Sequence, residues 1–157
     1  MIKLKNLLSE TKAWDREKFG DPLPTLEDVM NKHQETITEA TRWMVGVEEP
    51  SGKITSTYGH WDGYPKHAGK MLKKYYSNSA KVKKLLDLGK AGISSIDSNL
   101  KKTDFSGDKG DYRQKWSNRD KLKFNSGEEF AYIWNAKEKK WYYKARYTNP
   151  QDWTELS

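Results

Sequence analysis

Hydrophobic residues alternate with small or polar ones in two separate parts of the chain. Residues 43–47 place Trp and Val at the odd positions, a Pro-Ser-Gly turn follows, and residues 54–60 are rich in β-branched and aromatic side chains. Residues 130–134 and 141–145 alternate in the same way around a polar connection. Because a period of two is that of a β-strand, the pattern predicts two β-hairpins.

Helical spacing, with apolar residues three or four positions apart, occurs in three further segments. The first covers about residues 26–40, where Thr25 and Asp28 resemble a capping box. The second begins at Pro65, because a proline suits the first helical position, where an N–H has no intrahelical partner. The third lies within residues 77–92, between a serine cap and a glycine stop. The core-facing residues predicted for the last two helices are Ala68, Met71, Leu72, Tyr75, Val82, Leu85 and Leu86.

Two hairpins and about three helices predict an α+β fold, in which the hairpins form a small antiparallel sheet packed with the helices. Residues 97–127 are polar and contain three glycines, so we expect a long, irregular and partly ordered excursion there. A chain of 157 residues fits one domain. We therefore expect a leader and polar linker at residues 1–24 and a single α+β domain at residues 25–157.

The composition of the chain restricts which kinds of core, site and cellular compartment are compatible with it. Only 34% of the residues are hydrophobic but 13% are aromatic, so we expect an aromatic-rich core. The absence of cysteine excludes disulfides, thiolate zinc sites and a cysteine nucleophile, and it favours a reducing compartment. No apolar run approaches the roughly 18 to 20 residues that span a bilayer, so the sequence predicts no membrane interaction.

The positive charge is concentrated in one segment. Residues 66–90 hold eight lysines and one acid, Asp87, which accounts for the whole net charge of +7. This segment predicts a basic patch that is either a solvated helical face or a surface for nucleic acid or an acidic partner. Lysine without arginine argues against base-specific readout. The patch consists of Lys66, Lys70, Lys73, Lys74, Lys81 and Lys84.

Candidate chemistry centres on the turn that follows the first hairpin. His60 and Asp62 lie two residues apart, which would place both side chains on one face if the strand continued, and a carboxylate that orients a histidine is the usual general-base arrangement. No nucleophile is evident nearby, and Asp-Gly is also a common turn former. The alternatives are a structural turn, a ligand site or a small hydrolase. The ligand-binding candidates are Tyr58, His60, Trp61, Asp62 and Tyr64.

Two further sets of residues carry weaker signals. The histidines and aspartates show no metal-binding spacing and no Gly-rich phosphate loop is present, so we expect neither a metal nor another cofactor. The aromatic residues of 58–64 and 134–143 are either core or a stacking surface for nucleotides or single strands.

The segment Tyr58–Pro65, with the sequence YGHWDGYP, resembles the YxHWDGYP signature of a family of small, mostly phage-encoded proteins. The family's lysine- and valine-rich helix, its Ser-Ser pair and its late aromatic hairpin are similar to residues 81–88, 94–95 and 128–143, so that the resemblance covers about residues 42–146. No molecular function is established for the family. The resemblance therefore implies a phage protein in the host cytoplasm and no particular activity.

The beginning of the chain carries a second resemblance. Leu8-Ser9-Glu10 is similar to the site that prohead proteases of T-even-type phages cut, and the amphipathic residues before it look like a capsid-targeting leader. This reading predicts cleavage after Glu10, at a site that includes Leu8, and packaging in the virion capsid. The alternative is an ordinary helix start.

Three functions stay open on the sequence. The first is a non-enzymatic phage accessory protein that binds a host protein, another host component or a nucleotide-like ligand through the His60–Pro65 turn. The second is a nucleic-acid-associated internal capsid protein that uses the lysine patch. The third is a small hydrolase that uses His60 and Asp62, and a purely structural virion component is a further alternative. The oligomeric state is not predicted.

Overall fold

The computed structural model describes residues 25–27, 41–125, 127–147 and 152–157. The chain divides into two compact units, Met1–Gln34 and Glu35–Ser157, and the described residues from Thr41 onwards belong to the second. Leu26 and Glu27 are helical, but the rest of the helix expected at about 26–40 lies outside the described residues. So do the leader with Leu8 and Glu10, and the boundary expected after residue 24 stays a prediction.

Eight strands within the described part of the second unit form one mixed sheet. In chain order they are β1 (Trp43–Glu48), β2 (Ile54–Gly59), β3 (Ile93–Ser95), β4 (Asp104–Phe105), β5 (Gln114–Trp116), β6 (Phe130–Asn135), β7 (Lys140–Ala145) and β8 (Thr154–Glu155). Their order across the sheet is β4-β3-β2-β1-β6-β7-β8, and β5 also pairs with β2. The β1–β6 and β2–β3 pairs are parallel, and the others are antiparallel.

Among the described residues from Thr41 onwards, two short α-helices accompany the sheet. A single π-helical turn, Pro65–Gly69, leads into α1, Lys70–Tyr75, which confirms the helix start predicted at Pro65. Helix α2 spans Ser79–Leu88, inside the predicted segment, although its cap is Asn78, whose side chain accepts the backbone N–H of Ala80 at 2.8 Å. The predicted inward residues Ala68, Leu72, Val82, Leu85 and Leu86 are buried, and Met71 and Tyr75 are partly buried against them.

The predicted α+β class, with a small antiparallel sheet packed against about three helices, is wrong. Both hairpins form as expected, but β1 also pairs in parallel with β6 over all six residues, which joins the hairpins into a sheet that dominates the fold. The physical reason lies in β1, where five of the six residues are buried. A strand covered on both faces belongs in the middle of a sheet.

The larger core lies between the sheet and the two helices. It contains the odd-numbered residues of β1 and, by register, the residues beside them on β6 and β7. Four of its largest fully buried side chains are aromatic, as the composition predicted. They are Trp43, Trp134, Tyr76 and Tyr132.

A second, smaller core covers the opposite face of the sheet. Met44, Ile54, Ala131 and Ile133 contribute from the strands, and Leu122 comes from the segment predicted to be an irregular excursion. That segment instead supplies β4, β5 and a short 3₁₀ turn, Arg119–Lys121. The segment therefore packs on this face of the sheet and also connects β3 to β6.

Arg119 links this segment to the sheet. Its Nε and Nη2 donate to the Glu48 carboxylate at 2.8 and 2.6 Å, and its guanidinium lies 4.2 Å from the centre of the Tyr142 ring. A guanidinium that is both paired and stacked holds its segment in one position. The turn therefore stays against β1 and β7.

Candidate functional site

The turn after β2 is folded around the indole of Trp43, which is fully buried. The Trp43 Nε1 donates to the carbonyl oxygen of Trp61 at 3.0 Å. A Cβ added to Gly59 would lie 2.1 Å from Trp43 Cε2, and one added to Gly63 would lie 2.5 Å from Trp43 Cδ1. Both glycines of the GHWDG sequence are therefore required where the chain passes the indole.

The backbone of the turn is held on both sides. Tyr132 donates its hydroxyl to the Gly63 carbonyl at 2.7 Å, and the Gly63 N–H donates to Thr41 at 3.0 Å. Asp62 has a φ of 56°, in the left-handed region that aspartate enters more readily than most residues. Because β2 ends at Gly59, His60 and Asp62 do not share the continued strand on which the dyad prediction depended.

The side chain of His60 is paired with that of Tyr58. The Tyr58 hydroxyl and His60 Nδ1 lie 2.8 Å apart, and the His60 ring packs edge-on against Trp61 with the ring centres 4.4 Å apart. Burial raises the pKa of Tyr58, the nearby Arg42 charge lowers it and Glu128 raises it. The phenol is therefore protonated at neutral pH and forms a phenol–imidazole pair where the hydrolase hypothesis expected a carboxylate–imidazole pair.

The five ligand candidates of the turn differ in exposure and in surroundings. Trp61 is exposed, with 44% of its surface accessible, whereas His60, Asp62 and Tyr64 are partly buried. Tyr64 lies beside His67, with the ring centres 6.0 Å apart. Tyr58 lines a pocket on the opposite face of the sheet from the helices. The residues of this motif therefore have different surroundings. Its glycines pack on the buried Trp43, Trp61 lies at the surface, and Tyr58 forms part of a pocket wall.

The lysine face is the set of six exposed lysines on the π-turn and the two helices, namely Lys66, Lys70, Lys73, Lys74, Lys81 and Lys84. None of them forms an ion pair with another described residue, whereas Lys83 pairs with Glu49 at 3.2 Å. The structure therefore presents the basic patch as the sequence placed it, at the surface and without neutralising partners in the described part of the chain.

An apolar groove of about 620 Å³ lies beside the lysine face. Residues 97–103 form one wall of the groove. Two sets of hydrogen bonds hold this segment: the Tyr76 hydroxyl donates to the carbonyl oxygen of Asp97 at 2.9 Å, and the Asn99 side chain accepts two backbone N–H groups at 3.0 Å. Leu88 is 50% exposed in it. The side chains that define the apolar groove are Tyr75, Leu88 and Leu100, with Lys81, Lys84 and Lys101 around them.

A second concavity, the sheet pocket, has a volume of about 300 Å³. Met44, Ser56 and Tyr58 line it from β1 and β2, and by register they lie on the face away from the helices. Three further lining residues are Tyr112, Gln114 and Glu128. Of these six, sequence reasoning found Tyr58 alone, because the others come together only through strand pairing.

Comparison with protein families, curated proteins and solved structures found no match to this chain. No family is assigned. The part of the chain that the structure describes contains no cluster of three or more potential metal-ligating side chains. Among the same residues, no helix is both long and apolar enough to cross a bilayer.

Proposed function

We propose that this is a non-enzymatic binding protein that holds nucleic acid on its lysine face. The observation that carries the proposal is the set of six exposed lysines without an ion pair among the described residues. Clustered ammonium groups attract phosphates and release the counterions condensed on a nucleic acid. Because the face has no arginine, the binding is to the backbone and has little sequence preference.

The lysine face is favoured over the His60–Pro65 turn for a structural reason. The backbone of the turn forms hydrogen bonds with Trp43, Tyr132 and Thr41, so its glycines are explained by packing. A role for the turn in binding a host component rests mainly on the exposed ring of Trp61. The six lysines of the lysine face are exposed, so packing does not explain why their charges are clustered.

The test is the salt dependence of binding to labelled duplex and single-stranded DNA. A variant with Lys73, Lys74, Lys81 and Lys84 changed to Gln should bind more weakly, and its slope of log K against log salt should fall by about 0.9 for each lost phosphate contact on duplex DNA. The matched control changes four exposed lysines elsewhere to Gln, namely Lys53, Lys109, Lys115 and Lys123. Equal losses in both variants, or no binding at low salt, would contradict the proposal.

A second candidate is an acidic protein segment that docks in the apolar groove. The exposed Leu88, beside Tyr75 and Leu100, favours it, because lysines around an aliphatic floor suit carboxylates around an apolar anchor. Changing Leu88 to Asp should abolish nuclease-resistant capture of this partner from host lysate and leave DNA binding nearly intact. If capture survives this change, the groove is not the docking site.

The biological setting that we propose is phage infection. It is supported by the resemblance of Tyr58–Pro65 to phage-encoded proteins, and packaging in the capsid is supported by the resemblance of the leader at Leu8 and Glu10. Mass spectrometry of purified virions tests packaging. A peptide that begins at residue 11 would support cleavage of the leader, and absence of the protein from virions would restrict it to the host cytoplasm.

A further inference from the structure

A groove of about 410 Å³ lies between helix α1 and the turn that joins β6 to β7. Lys73 lines it from α1, Lys139 from the turn and Lys140 from the first position of β7. Trp134 and Trp141 also line it and are almost fully buried. Because Lys73 belongs to the lysine face as well, this basic groove continues the lysine face towards the late hairpin.

The acidic residues near the basic groove already have partners. Glu155 lines the groove, and its carboxylate binds the Lys140 Nζ at 3.3 Å. Glu138, in the turn, accepts the hydroxyl of Tyr142, which by register lies on the face of the sheet away from the helices. The other two lysines of the groove form no ion pair with another described residue. The groove therefore keeps a net positive charge.

Lys139 has a backbone conformation that does not suit a lysine. Its φ is 56°, in the left-handed region where glycine or asparagine is usual. The turn is held without the Lys139 side chain, because its N–H donates to the Asn135 carbonyl at 2.8 Å and the Asn135 side chain accepts the N–H groups of Lys137 and Glu138 at 3.0 and 2.8 Å. A strained residue whose side chain the fold does not use indicates a role in binding.

We propose that the basic groove holds a backbone phosphate of the bound nucleic acid between Lys73 and Lys139. The inference rests on the function proposed above and adds a contact from the late hairpin to the helical lysines. An ammonium group binds phosphate oxygens as a point charge and reads no base. A phosphate fits better than a protein segment, because the nearly buried Trp134 and Trp141 offer little exposed surface for an apolar anchor.

The test is the binding of labelled duplex DNA to the whole protein over a range of salt concentrations. Lys139→Gln should weaken binding several-fold at low salt and lower the slope of log K against log salt by about 0.9, the value for one phosphate contact. The matched control is Lys137→Gln, at an exposed lysine of the same turn outside the groove lining, which should have a clearly smaller effect. Lys139→Arg keeps the charge and should keep the slope.

Lys139→Gly separates binding from folding. Glycine adopts a φ of 56° without strain, so the Tm of this variant should equal or exceed that of the unaltered protein. Its affinity for DNA should nevertheless fall as far as in Lys139→Gln. A lysine with only a structural role would give unchanged affinity in Lys139→Gly, and that result overturns the proposal.

The outcomes distinguish this proposal from the one on which it rests. If DNA binds and the variant with four lysines changed to Gln binds it more weakly, but Lys139→Gln and Lys137→Gln behave alike, the basic groove holds no phosphate and the lysine face still binds. No DNA binding at low salt overturns both proposals. If Lys139→Gln weakens binding of polyglutamate and leaves DNA binding unchanged, the groove takes an acidic protein segment and the proposal is wrong.

Discussion

Trp43 determines which residues the neighbouring turn tolerates. Its indole is fully buried, its N–H is bound by the Trp61 carbonyl, and Gly59 and Gly63 lie against its ring. A side chain at either glycine would occupy space that the indole already fills. The glycines of the turn therefore serve the core, while the exposed ring of Trp61 and the Tyr58–His60 pair are the parts of it that remain accessible for other roles.

Gly59→Ala tests this packing directly. The new methyl group would lie 2.1 Å from Trp43 Cε2, so we expect a loss of at least about 1–3 kcal/mol in the free energy of unfolding, as for other overpacked cores. Urea denaturation measures it. Gly107→Ala is the control, because an added Cβ there meets no atom within 4 Å, and it should change stability by less than about 0.5 kcal/mol. Equal stability of the two variants would show that the turn does not pack on Trp43 as described.

Variants of Asp62 distinguish a requirement for its left-handed backbone conformation from a requirement for its carboxylate. With φ at 56°, Asp62→Gly and Asp62→Asn should keep the stability of the protein, whereas Asp62→Val should lose roughly 1–2 kcal/mol because a β-branched residue is strained in the left-handed region. Thermal and urea unfolding of the three variants provide the comparison. If Asn and Gly destabilise as much as Val, the carboxylate itself is needed and the turn has a chemical role.

At the scale of elements, the segment before β5 is tied to helix α2 by charge. The Arg113 guanidinium binds Asp111 at 2.7 Å and Asp87, on α2, at 2.8 Å. Hydrogen bonds from the Arg113 side chain, and then from its backbone N–H, lower the pKa of Asp111 from 3.8 to about 2. These links hold the strand that borders the sheet pocket against the helical layer.

The lowered pKa predicts how this link responds to acid. Because Asp111 has a lower pKa in the folded protein than in the unfolded chain, its contribution to stability is fully present above pH 3.8 and is lost as the pH falls towards about 2. A titration of the Asp111 carboxyl carbon by NMR should have its midpoint near 2. Asp111→Asn should remove this part of the acid dependence and leave the rest. A midpoint near 3.8 would mean that Arg113 does not hold the carboxylate in solution.

At the scale of the whole molecule, the parallel pairing of β1 with β6 makes the two hairpins one structure. Strands β1 and β6 are nearly 90 residues apart in sequence and occupy the middle of the sheet. Neither hairpin buries both faces of β1 without the other, because the larger core draws on both hairpins and on both helices. We therefore expect the residues from Thr41 onwards to unfold cooperatively.

Hydrogen exchange measures this cooperativity. Backbone amides of β1 and β6 that donate within the sheet should exchange most slowly, by global unfolding, and their protection should fall in parallel in Gly59→Ala. Amides of the short outer strands β4 and β8 should exchange faster through local opening. Rapid exchange of β6 with β1 still protected would show that the hairpins open separately.

The local elements were within reach of the sequence. Alternation predicted both hairpins, Pro65 predicted a helix start, and the spacing of Val82, Leu85 and Leu86 predicted the buried side of α2. Each of these depends on neighbours a few residues away, so a short window of sequence contains the information. The lysine face was predictable for the same reason, since helical spacing places charges at the surface.

The sheet topology and the sheet pocket were decided by tertiary structure. Whether Met44 faces solvent or a second core depends on Leu122, which lies nearly 80 residues further along the chain and carries no periodic signal. Likewise Tyr58, Tyr112 and Glu128 meet at one pocket because β1, β2, β5 and β6 are neighbours in the sheet. The sequence by itself determined the hairpins, the two helices and the location of the charge, whereas the pairing of distant strands determined what covers the sheet and which residues line its pocket.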